Sequence, residues 1–326
     1  PWTYLWSDGQ NSQIANNLSA GTYSCQIWDA NNCLYTVNNI TVSEPTAVSG
    51  TSSADSVSCN GFSDGSATVT PSGGVGGWTY IWSDGQTSQT ANNLSAGIYS
   101  CEIRDANLCL YTVNNIIILE PNQLLVNATF TDITCFGDGD GTVTANDNGG
   151  GTSPYTYIWD TNPVQTTQTA TNLQANTYSC TIVDANNCPP VATNTVTVSE
   201  PTAVSATSST TPVICNGDNT GSATVTPSGG VGGWTYLWSN QQTTQTANNL
   251  IAGTYSCQIW DANNCLYTVN TITVSEPTAV SGTSIADSVS CNTGSDGSAT
   301  VTPSGGVGGP WTYLWSDGQN SQIANN

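Results

Sequence analysis

An internal repeat of about 77 residues constrains the fold of this chain more than any other feature. The tripeptide Tyr-Leu-Trp or Tyr-Ile-Trp occurs five times, and its tryptophans lie 76, 77, 79 and 77 residues apart, at Trp6, Trp82, Trp159, Trp238 and Trp315. Solenoid repeats of roughly 20 to 50 residues cannot bury a core alone, whereas this period reaches the size of a small independent domain. The sequence therefore predicts tandem domains.

Glu-Pro pairs recur in step with the repeat and indicate the joints between domains. Because Pro fixes its own φ and holds the preceding residue extended, each joint is expected to be short and semi-rigid. Division at these pairs gives a partial repeat 1–45, complete repeats 46–121, 122–201 and 202–277, and a partial repeat 278–326. Residues 1–17 reappear unchanged as 310–326, so we expect this sequence to be a window of a much longer periodic chain.

The charge composition excludes several classes of function. The chain has 22 acidic residues, one basic residue (Arg104) and no His, which gives a net charge of -21. Nucleic-acid binding needs clustered Lys and Arg, so no nucleic-acid partner is expected. Catalytic dyads, Schiff bases and metal sites that need His or Lys cannot form, and no enzymatic activity is expected. No apolar run approaches the roughly 18 residues of a membrane span, so none is expected in this segment.

Within each repeat the apolar residues follow the period of β-strands. In the repeat 46–121, residues 66–70 and 78–82 alternate in polarity, residues 98–103 form a third strand, and residues 110–119 form the last. Asp84-Gly85 predicts a hairpin turn, because Gly tolerates positive φ. About seven short strands per repeat predict an all-β fold, a tandem array of small antiparallel immunoglobulin-like β-sandwiches.

A tyrosine precedes a cysteine by two residues in every copy of this third strand. The pairs are Tyr23/Cys25, Tyr99/Cys101, Tyr178/Cys180 and Tyr255/Cys257. This spacing is that of the tyrosine corner of immunoglobulin-like sandwiches. Simple alternation of Tyr and Cys into a core explains it equally well, and both interpretations predict a sandwich.

The order of short motifs along each repeat is similar to the SprB-type repeat of Bacteroidetes surface proteins. In one copy the motifs are Cys59-Asn60-Gly61, Asp64-Gly65-Ser66-Ala67, Gly73-Gly74, Tyr80-Ile81-Trp82, Asn93-Leu94, Ala96-Gly97-Ile98-Tyr99, Asp105-Ala106-Asn107-Leu108-Cys109 and Glu120-Pro121. The resemblance covers essentially the whole chain. It implies a giant extracellular adhesin or filament, secreted by the type IX system and displayed on the cell surface. Usual family members carry an aliphatic residue where Cys25, Cys101, Cys180 and Cys257 stand.

Twelve cysteines fall in sets of three per repeat. Without CxxC spacing or His, disulfides in an oxidising, extracellular compartment explain them better than zinc. The resemblance implies a pair within one repeat, Cys59 with Cys109, and the disulfide candidates are Cys59, Cys109, Cys135, Cys188, Cys215 and Cys265. One cysteine per repeat is left over, at Cys25, Cys101, Cys180 and Cys257. These extra cysteines are either buried in the core or form inter-domain or inter-chain links.

Acidic loops and outward-facing aromatic residues are the remaining candidate sites. A Ca²⁺ site is one hypothesis for the acidic loops, which contain Asp64, Asp218, Asp296 and residues 138–141. The alternative is that Asp-Gly only forms turns. No other cofactor is expected. Asp29, Asp105, Asp184 and Asp261 are interpreted as Asx-turn residues. Trp28 and Trp260 occupy polar positions of their strand and are able to stack on sugars or on a neighbouring repeat. Ser56 and Ser288 resemble O-glycosylation acceptors of Bacteroidetes.

These features predict a structural extracellular filament or adhesin stalk, stiffened by disulfides and displayed at the cell surface. Its partners would be neighbouring repeats of the same chain and copies of itself. The alternative is a multivalent adhesin that binds surface glycans through exposed aromatic side chains such as Trp28.

Overall fold

A computed structural model describes residues 1–325, and all regular secondary structure within them is β-strand. In that part of the chain no helix is long and apolar enough to cross a membrane. The residues form two compact units. The first consists of Pro1–Leu125, Asp147–Thr156 and Val183–Val191, and the second of Val126–Asn146, Tyr157–Ile182 and Ala192–Asn326. The division of the chain at the Glu-Pro pairs stays a prediction.

Nine strands of the first unit form three antiparallel sheets. They are β1 (Thr3–Trp6), β2 (Gly21–Trp28), β3 (Leu34–Val42), β4 (Ser49–Asp55), β5 (Gly65–Ser72), β6 (Thr79–Trp82), β7 (Thr90–Leu94), β8 (Gly97–Arg104) and β9 (Leu110–Ile118). Their sheet orders are β1-β2-β3, β4-β5-β7 and β6-β8-β9. The last two sheets enclose one core built around Val69, Trp82, Cys101 and Ile103.

The complete repeat has the strand arrangement of an immunoglobulin-like sandwich. The orders β4-β5-β7 and β6-β8-β9 correspond to strands A, B, E and C, F, G of that fold. Alternate residues of β5 and β8 point inward, because successive side chains of a strand face opposite sides of its sheet. The predicted fold class is confirmed, with six strands in the repeat 46–121 where about seven were expected.

The tyrosine-corner interpretation is confirmed by a hydrogen bond. The Tyr99 hydroxyl donates to the carbonyl of Ser95, four residues upstream, at 3.0 Å. The same bond is made by Tyr23, Tyr178 and Tyr255 to Ser19, Gln174 and Ile251. The second interpretation, alternation of Tyr and Cys into the core, is also confirmed, since the thiol of Cys101 is fully buried beside Trp82.

The prediction of a hairpin at Asp84-Gly85 is wrong, although the turn itself forms. Gly85 has a φ of +92° and donates its N–H to the Trp82 carbonyl at 2.9 Å. However, β6 pairs with β8 and β7 pairs with β5, so the turn leads from one sheet to the other. The indole N–H of Trp82 donates to the Ser88 carbonyl at 2.8 Å, which holds the segment after the turn against the end of β6.

The remaining strands lie largely in the second unit. They are β10 (Val126–Thr131), β11 (Gly141–Asp147), β12 (Thr156–Trp159), β13 (Thr169–Leu173), β14 (Asn176–Tyr178), β15 (Cys180–Val183), β16 (Val191–Ala192), β17 (Val196–Val198), β18 (Ser205–Thr211), β19 (Gly221–Ser228), β20 (Thr235–Trp238), β21 (Thr246–Leu250), β22 (Gly253–Trp260), β23 (Leu266–Val274), β24 (Thr278–Asp287), β25 (Ser298–Gly306) and β26 (Ile323–Asn325). Sheets β18-β19-β21 and β20-β22-β23 enclose a core around Val225, Trp238 and Ile259. Residues 278–325 contribute one sheet, β24-β25-β26.

Candidate functional site: disulfide-bonded junctions between repeats

Two kinds of short segment carry the cysteines that lie outside the core clusters; each complete repeat contains both, and each partial repeat contains one. We call residues 58–61, 134–137, 214–217 and 290–293 the cysteine loops, because each follows the first strand of its repeat and contains Cys59, Cys135, Cys215 or Cys291. We call residues 29–33, 105–109, 184–188 and 261–265 the cysteine turns, which end at Cys33, Cys109, Cys188 or Cys265.

An aspartate builds each cysteine turn. In the turn 184–188 the Asp184 carboxylate accepts the N–H of Cys188 at 2.9 Å and, with its other oxygen, the N–H of Thr152 at 3.0 Å. Asp29, Asp105 and Asp261 likewise accept the N–H of the cysteine four residues later. Asp29, Asp105 and Asp261 also accept the N–H of the residue two positions later, which is the bond of the predicted Asx turn. Backbone hydrogen bonds lower the pKa of Asp105, chiefly through the N–H of Val75, and of Asp29, chiefly through the N–H of Cys33.

The Glu-Pro pair at the end of a repeat clamps the cysteine loop of the same repeat. The Glu120 carboxylate accepts the N–H of Gly61 at 2.9 Å, and the Pro121 carbonyl accepts the side-chain amide of Asn60 at 3.1 Å. Glu276 and Pro277 hold Gly217 and Asn216 in the same way. Each clamp therefore holds a cysteine loop beside the point at which the chain enters the next repeat.

Two disulfides each join the cysteine loop of one repeat to the cysteine turn of the next. Cys59 bonds to Cys188 within the first unit, and Cys135 bonds to Cys265 within the second. The Cα atoms are 5.6 Å apart in both bonds, which is an ordinary disulfide separation. The chain and the disulfide together give each of these two junctions two covalent connections.

The pairing of Cys59 with Cys109 that the resemblance implies is wrong. Val57 donates its N–H to the Leu119 carbonyl at 3.0 Å, so the cysteine loop lies at the far end of β9, whereas Cys109 precedes the first residue of β9. The nine residues of that strand separate the two cysteines by about 30 Å, far beyond disulfide range. Four disulfide candidates are bonded, and two, Cys109 and Cys215, are exposed free thiols.

An asparagine in each bonded cysteine turn adds a hydrogen bond to the junction. The side-chain amide of Asn186 donates to the Ser58 carbonyl at 2.8 Å, and that of Asn263 donates to the Thr134 carbonyl at 2.9 Å. In both cases the accepting carbonyl belongs to the residue before the bonded cysteine of the loop. Sequence reasoning missed these two asparagines, although an Asn stands two residues before the cysteine of every turn.

The extra strand cysteines form no links between repeats. Cys25, Cys101, Cys180 and Cys257 are buried free thiols, so the structure corresponds to the burial alternative and the cross-links are made by other cysteines. Burial raises the pKa of Cys101 and Cys180, and that of Cys257 to about 11. A protonated, buried thiol is a poor nucleophile, so these residues serve as small apolar core side chains.

The acidic loops of the Ca²⁺ hypothesis use carboxylates as turn acceptors. Asp64 accepts the N–H of Ser58 at 2.9 Å and also its hydroxyl, and Asp140 accepts the N–H of Thr134 at 2.9 Å. Asp296 repeats the bond with Ser290 at 3.0 Å, while Asp218 donates its N–H to the Cys215 carbonyl. Within residues 1–325 no group of three or more His, Cys, Asp or Glu is placed to hold a metal ion.

The other candidate residues lie on the surface. Trp28 and Trp260 are half-buried on the outer face of their sheets, each between a Thr and a Leu of the neighbouring strands. The equivalent position holds Arg104 in another repeat, and its exposed ion pair with Glu102 spans 3.2 Å and contributes little to stability. Ser56 and Ser288 are exposed beside the ends of β4 and β24.

Comparison with known proteins identifies the repeat. The SprB repeat family model matches residues 51–87, 127–164, 207–243 and 283–320. No curated protein matches the chain.

Several solved structures show a weak likeness to this chain. The three N-terminal domains of the bacteriophage RB49 highly immunogenic outer capsid protein (Hoc) share 13% identity, with 71% of this chain and 98% of that chain covered and a TM-score of 0.39. A structure of Dscam, solved to explain isoform specificity, shares 9% identity over 85% of this chain and 91% of that chain, with a TM-score of 0.23. Domains 4–9 of the surface layer protein SbsC share 13% identity over 93% of this chain and 64% of that chain, with a TM-score of 0.23. These likenesses say nothing about function.

The family match and the disulfides together indicate the compartment and the class of protein to which this chain belongs. SprB repeats occur in cell-surface proteins, and repeats of this kind are typically structural and non-catalytic. Disulfides persist in oxidising compartments outside the cytoplasm. The chain is thus an extracellular repeat protein of the adhesin type, and it contains four SprB repeats.

Proposed function

We propose that this chain is a load-bearing segment of an extracellular filament or adhesin stalk at the cell surface. The observation that carries the proposal is the pair of disulfides Cys59–Cys188 and Cys135–Cys265, each of which joins two consecutive repeats. A repeat joined to its neighbour only by a Glu-Pro peptide could swivel about that joint. A second covalent connection some distance from the joint opposes that rotation.

The disulfides also change the path along which tension passes through the chain. The shortest covalent path runs from residue 1 to Cys59, across to Cys188, back to Cys135, across to Cys265 and on to the last residue. Close to half of the chain lies outside this path and cannot be drawn out while both bonds hold. The bonds therefore limit the extension of the segment even if every sandwich unfolds.

The surface of the chain suits dense display outside a cell. A net charge of -21 makes neighbouring copies repel each other and keeps them soluble. The remaining polar surface is mostly neutral, because charged residues make up 7% of the chain. Both properties reduce nonspecific association between filaments.

Single-molecule stretching of the chain, held at its two ends, tests this proposal. We expect the length at full unfolding to rise by a factor of nearly two when a reductant is added, because the bypassed residues are then released. The double variant Cys188→Ser with Cys265→Ser is expected to show the long extension without reductant. An unchanged length on reduction would show that the disulfides bear no load.

Carbohydrate binding is a second candidate function, supported by the outward placement of Trp28 and Trp260. A half-exposed indole on a flat sheet face can stack on a sugar ring. Binding of the chain to a glycan array, lost in Trp28→Ala with Trp260→Ala, would support this function. The matched control is Trp6→Ala, which changes a tryptophan whose indole N–H is bonded within its own loop. Absence of binding to every glycan would leave only the load-bearing role.

A further inference from the structure

Three asparagines of the chain are followed directly by glycine. They form the dipeptides Asn60-Gly61, Asn148-Gly149 and Asn216-Gly217. In such a dipeptide the glycine nitrogen can attack the side-chain amide carbon of the asparagine, because glycine has no side chain to obstruct the approach. All six residues are exposed, so access to water does not distinguish the three sites. The hydrogen bonds that hold each dipeptide do distinguish them.

The first and the third dipeptide are held by the Glu-Pro clamp. The Gly61 N–H donates to the Glu120 carboxylate at 2.9 Å, and the Asn60 side-chain amide donates to the Pro121 carbonyl at 3.1 Å. The dipeptide 216–217 makes the same two bonds to the pair 276–277, at 2.8 and 3.1 Å. In both copies the glycine nitrogen and the asparagine amide are therefore each bonded to another part of the repeat.

The clamp opposes the reaction between nitrogen and amide in two ways. The glycine nitrogen must lose its proton before it attacks, and a carboxylate within hydrogen-bond distance disfavours negative charge on that nitrogen. Both clamp bonds must also break before the nitrogen can meet the amide carbon. A carboxylate is too weak a base to remove the proton of a backbone amide, so it does not assist the attack.

The Asn148-Gly149 dipeptide has no clamp. It follows β11, where the Asn148 N–H donates to the Leu125 carbonyl at 2.7 Å and the Gly149 carbonyl accepts the Leu125 N–H at 2.9 Å. Neither the Asn148 side chain nor the Gly149 N–H has a hydrogen-bond partner among residues 1–325. Gly149 has a φ of +98° and open space where a Cβ would stand. The nitrogen and the amide of this dipeptide are therefore free to meet.

We infer that Asn148 is a site of spontaneous deamidation, from which the Glu-Pro clamp protects Asn60 and Asn216. The deprotonated Gly149 nitrogen forms a bond to the Asn148 amide carbon. The amide C–N bond breaks, and the departing nitrogen takes up a proton and leaves as ammonia. Water then opens the cyclic succinimide at one of its two carbonyls, which leaves aspartate or isoaspartate at position 148. The reaction needs only water, so it can proceed outside a cell.

Deamidation changes the contacts around position 148. Both products place a further carboxylate beside Asp147. Isoaspartate also adds one backbone carbon between the Asn148 N–H and the Gly149 carbonyl, both of which are bonded to Leu125. One of these two bonds is then expected to be lost. Leu125 lies shortly after the Glu-Pro pair at 120–121, so the modification loosens with age the segment that leaves the clamp.

Mass spectrometry of the full, disulfide-bonded chain tests the inference. The chain is incubated in mildly alkaline buffer and digested with pepsin at low pH, and the mass increase at each Asn-Gly is followed with time. We expect Asn148 to react about tenfold faster than Asn60 and Asn216, since one hydrogen bond to a charged group is worth roughly that factor in rate. After reduction and unfolding in denaturant, the three rates should converge. Equal rates at the three sites of the folded chain would overturn the inference.

Reciprocal clamp variants provide a second readout. Glu120→Ala is expected to raise the rate at Asn60 about tenfold and to leave Asn216 slow, whereas Glu276→Ala should do the reverse. The site whose clamp is intact shows in each variant that the chain is still folded. An unchanged rate at the released site would overturn the protective role of the clamp. A slower rate there would also overturn it, because the carboxylate would then be assisting the attack.

Discussion

The partial repeat 1–45 and the complete repeat 46–121 have the same local structure but differ in burial. The strands that carry Trp6 and Trp82 have matching bounds, Thr3–Trp6 and Thr79–Trp82, and the two tryptophans pair with Cys25 and Cys101 in the same register. Both indole groups donate to a carbonyl six residues later, at 2.9 and 2.8 Å. Trp82 is nevertheless 2% exposed, whereas Trp6 is only half-buried.

The difference between these regions comes from the second sheet. In the complete repeat, β4-β5-β7 covers the inner face of β6-β8-β9, whereas β1-β2-β3 has no such sheet within residues 1–45. The comparison shows that strand register, turns and the tyrosine corner depend on local sequence. Burial of the core depends on the opposing sheet, which β4-β5-β7 supplies for Trp82.

Removal of the core tryptophan should have the largest effect and should separate the two regions. We expect Trp82→Ala to lower the free energy of unfolding by about 3–5 kcal/mol, because it leaves a large cavity between two sheets. Trp6→Ala, which empties an open face, should cost less than half as much. Denaturant unfolding followed by circular dichroism measures both values. Equal losses would show that Trp6 is as well packed as Trp82.

Loss of an inter-repeat disulfide should have the next largest effect. Cys188→Ser is expected to lower the free energy of unfolding by about 2–4 kcal/mol, since the bond restricts the unfolded chain across 129 residues. Cys33→Ser, at the equivalent position of the partial repeat, should change nothing because its thiol is free. The same unfolding experiment, without reductant, compares the two. A stable Cys188→Ser chain would show that the bond adds little constraint.

The pH dependence of stability should differ between the two aspartates of the cysteine turns. Asp105 accepts three N–H groups, including that of Val75 in the loop between β5 and β6, whereas Asp29 accepts two from its own turn. These bonds lower the pKa of both carboxyls below the ordinary value of 3.8. The contribution of these bonds to the free energy of unfolding is complete above pH 3.8. It is lost as the pH falls through the lower pKa of the folded state.

Substitution of each aspartate by asparagine measures how much its carboxylate contributes to the pH dependence of the free energy of unfolding. Asp105→Asn should reduce the loss of stability on acidification from pH 5 to pH 2 more than Asp29→Asn does, because Asp105 also binds the loop between β5 and β6 through Val75. Thermal unfolding at several pH values measures this difference. Equal changes in the two variants would mean that the contact with Val75 contributes nothing.

A substitution in the turn itself should give the smallest effect, and it should be the same in both regions. Leu108 has a φ of +65° at a position where the other cysteine turns place Asn32, Asn187 and Asn264. Asn tolerates this left-handed conformation better than Leu. Leu108→Asn is expected to stabilise the complete repeat by about 0.5–1 kcal/mol, and Asn32→Leu to destabilise the partial repeat by a similar amount. Unequal magnitudes would show that the turn depends on the second sheet.

Much of the fold could be predicted from the sequence because its signals are local. The alternation at residues 66–70 and 98–103 predicted β5 and β8, and the Tyr-Cys spacing predicted the tyrosine corner. The sheet that the chain joins after Asp84-Gly85 could not be predicted in this way. Turn chemistry specifies that the chain reverses, whereas the sheet that receives the next strand is decided by burial of Ala91 and Leu94.

The disulfide pairing could not be predicted from cysteine spacing. A bond within one repeat and a bond to the next repeat both join one loop cysteine to one turn cysteine, so the sequence pattern is the same for each. The outcome depends on which ends of the sandwich carry Cys59 and Cys109, and that depends on the length of β9. The alternation of Cys101 with Tyr99 and Ile103, in contrast, did indicate a core position.

Disulfide mapping of the intact, unreduced chain tests the central claim most directly. Because Arg104 provides trypsin with a single site, pepsin at low pH is the appropriate protease, and acid also prevents disulfide exchange. We expect linked peptides that join Cys59 to Cys188 and Cys135 to Cys265, with Cys101 and Cys180 alkylated only after unfolding. Peptides that join Cys59 to Cys109 and Cys135 to Cys188 would contradict the account, because each repeat would then be closed on itself.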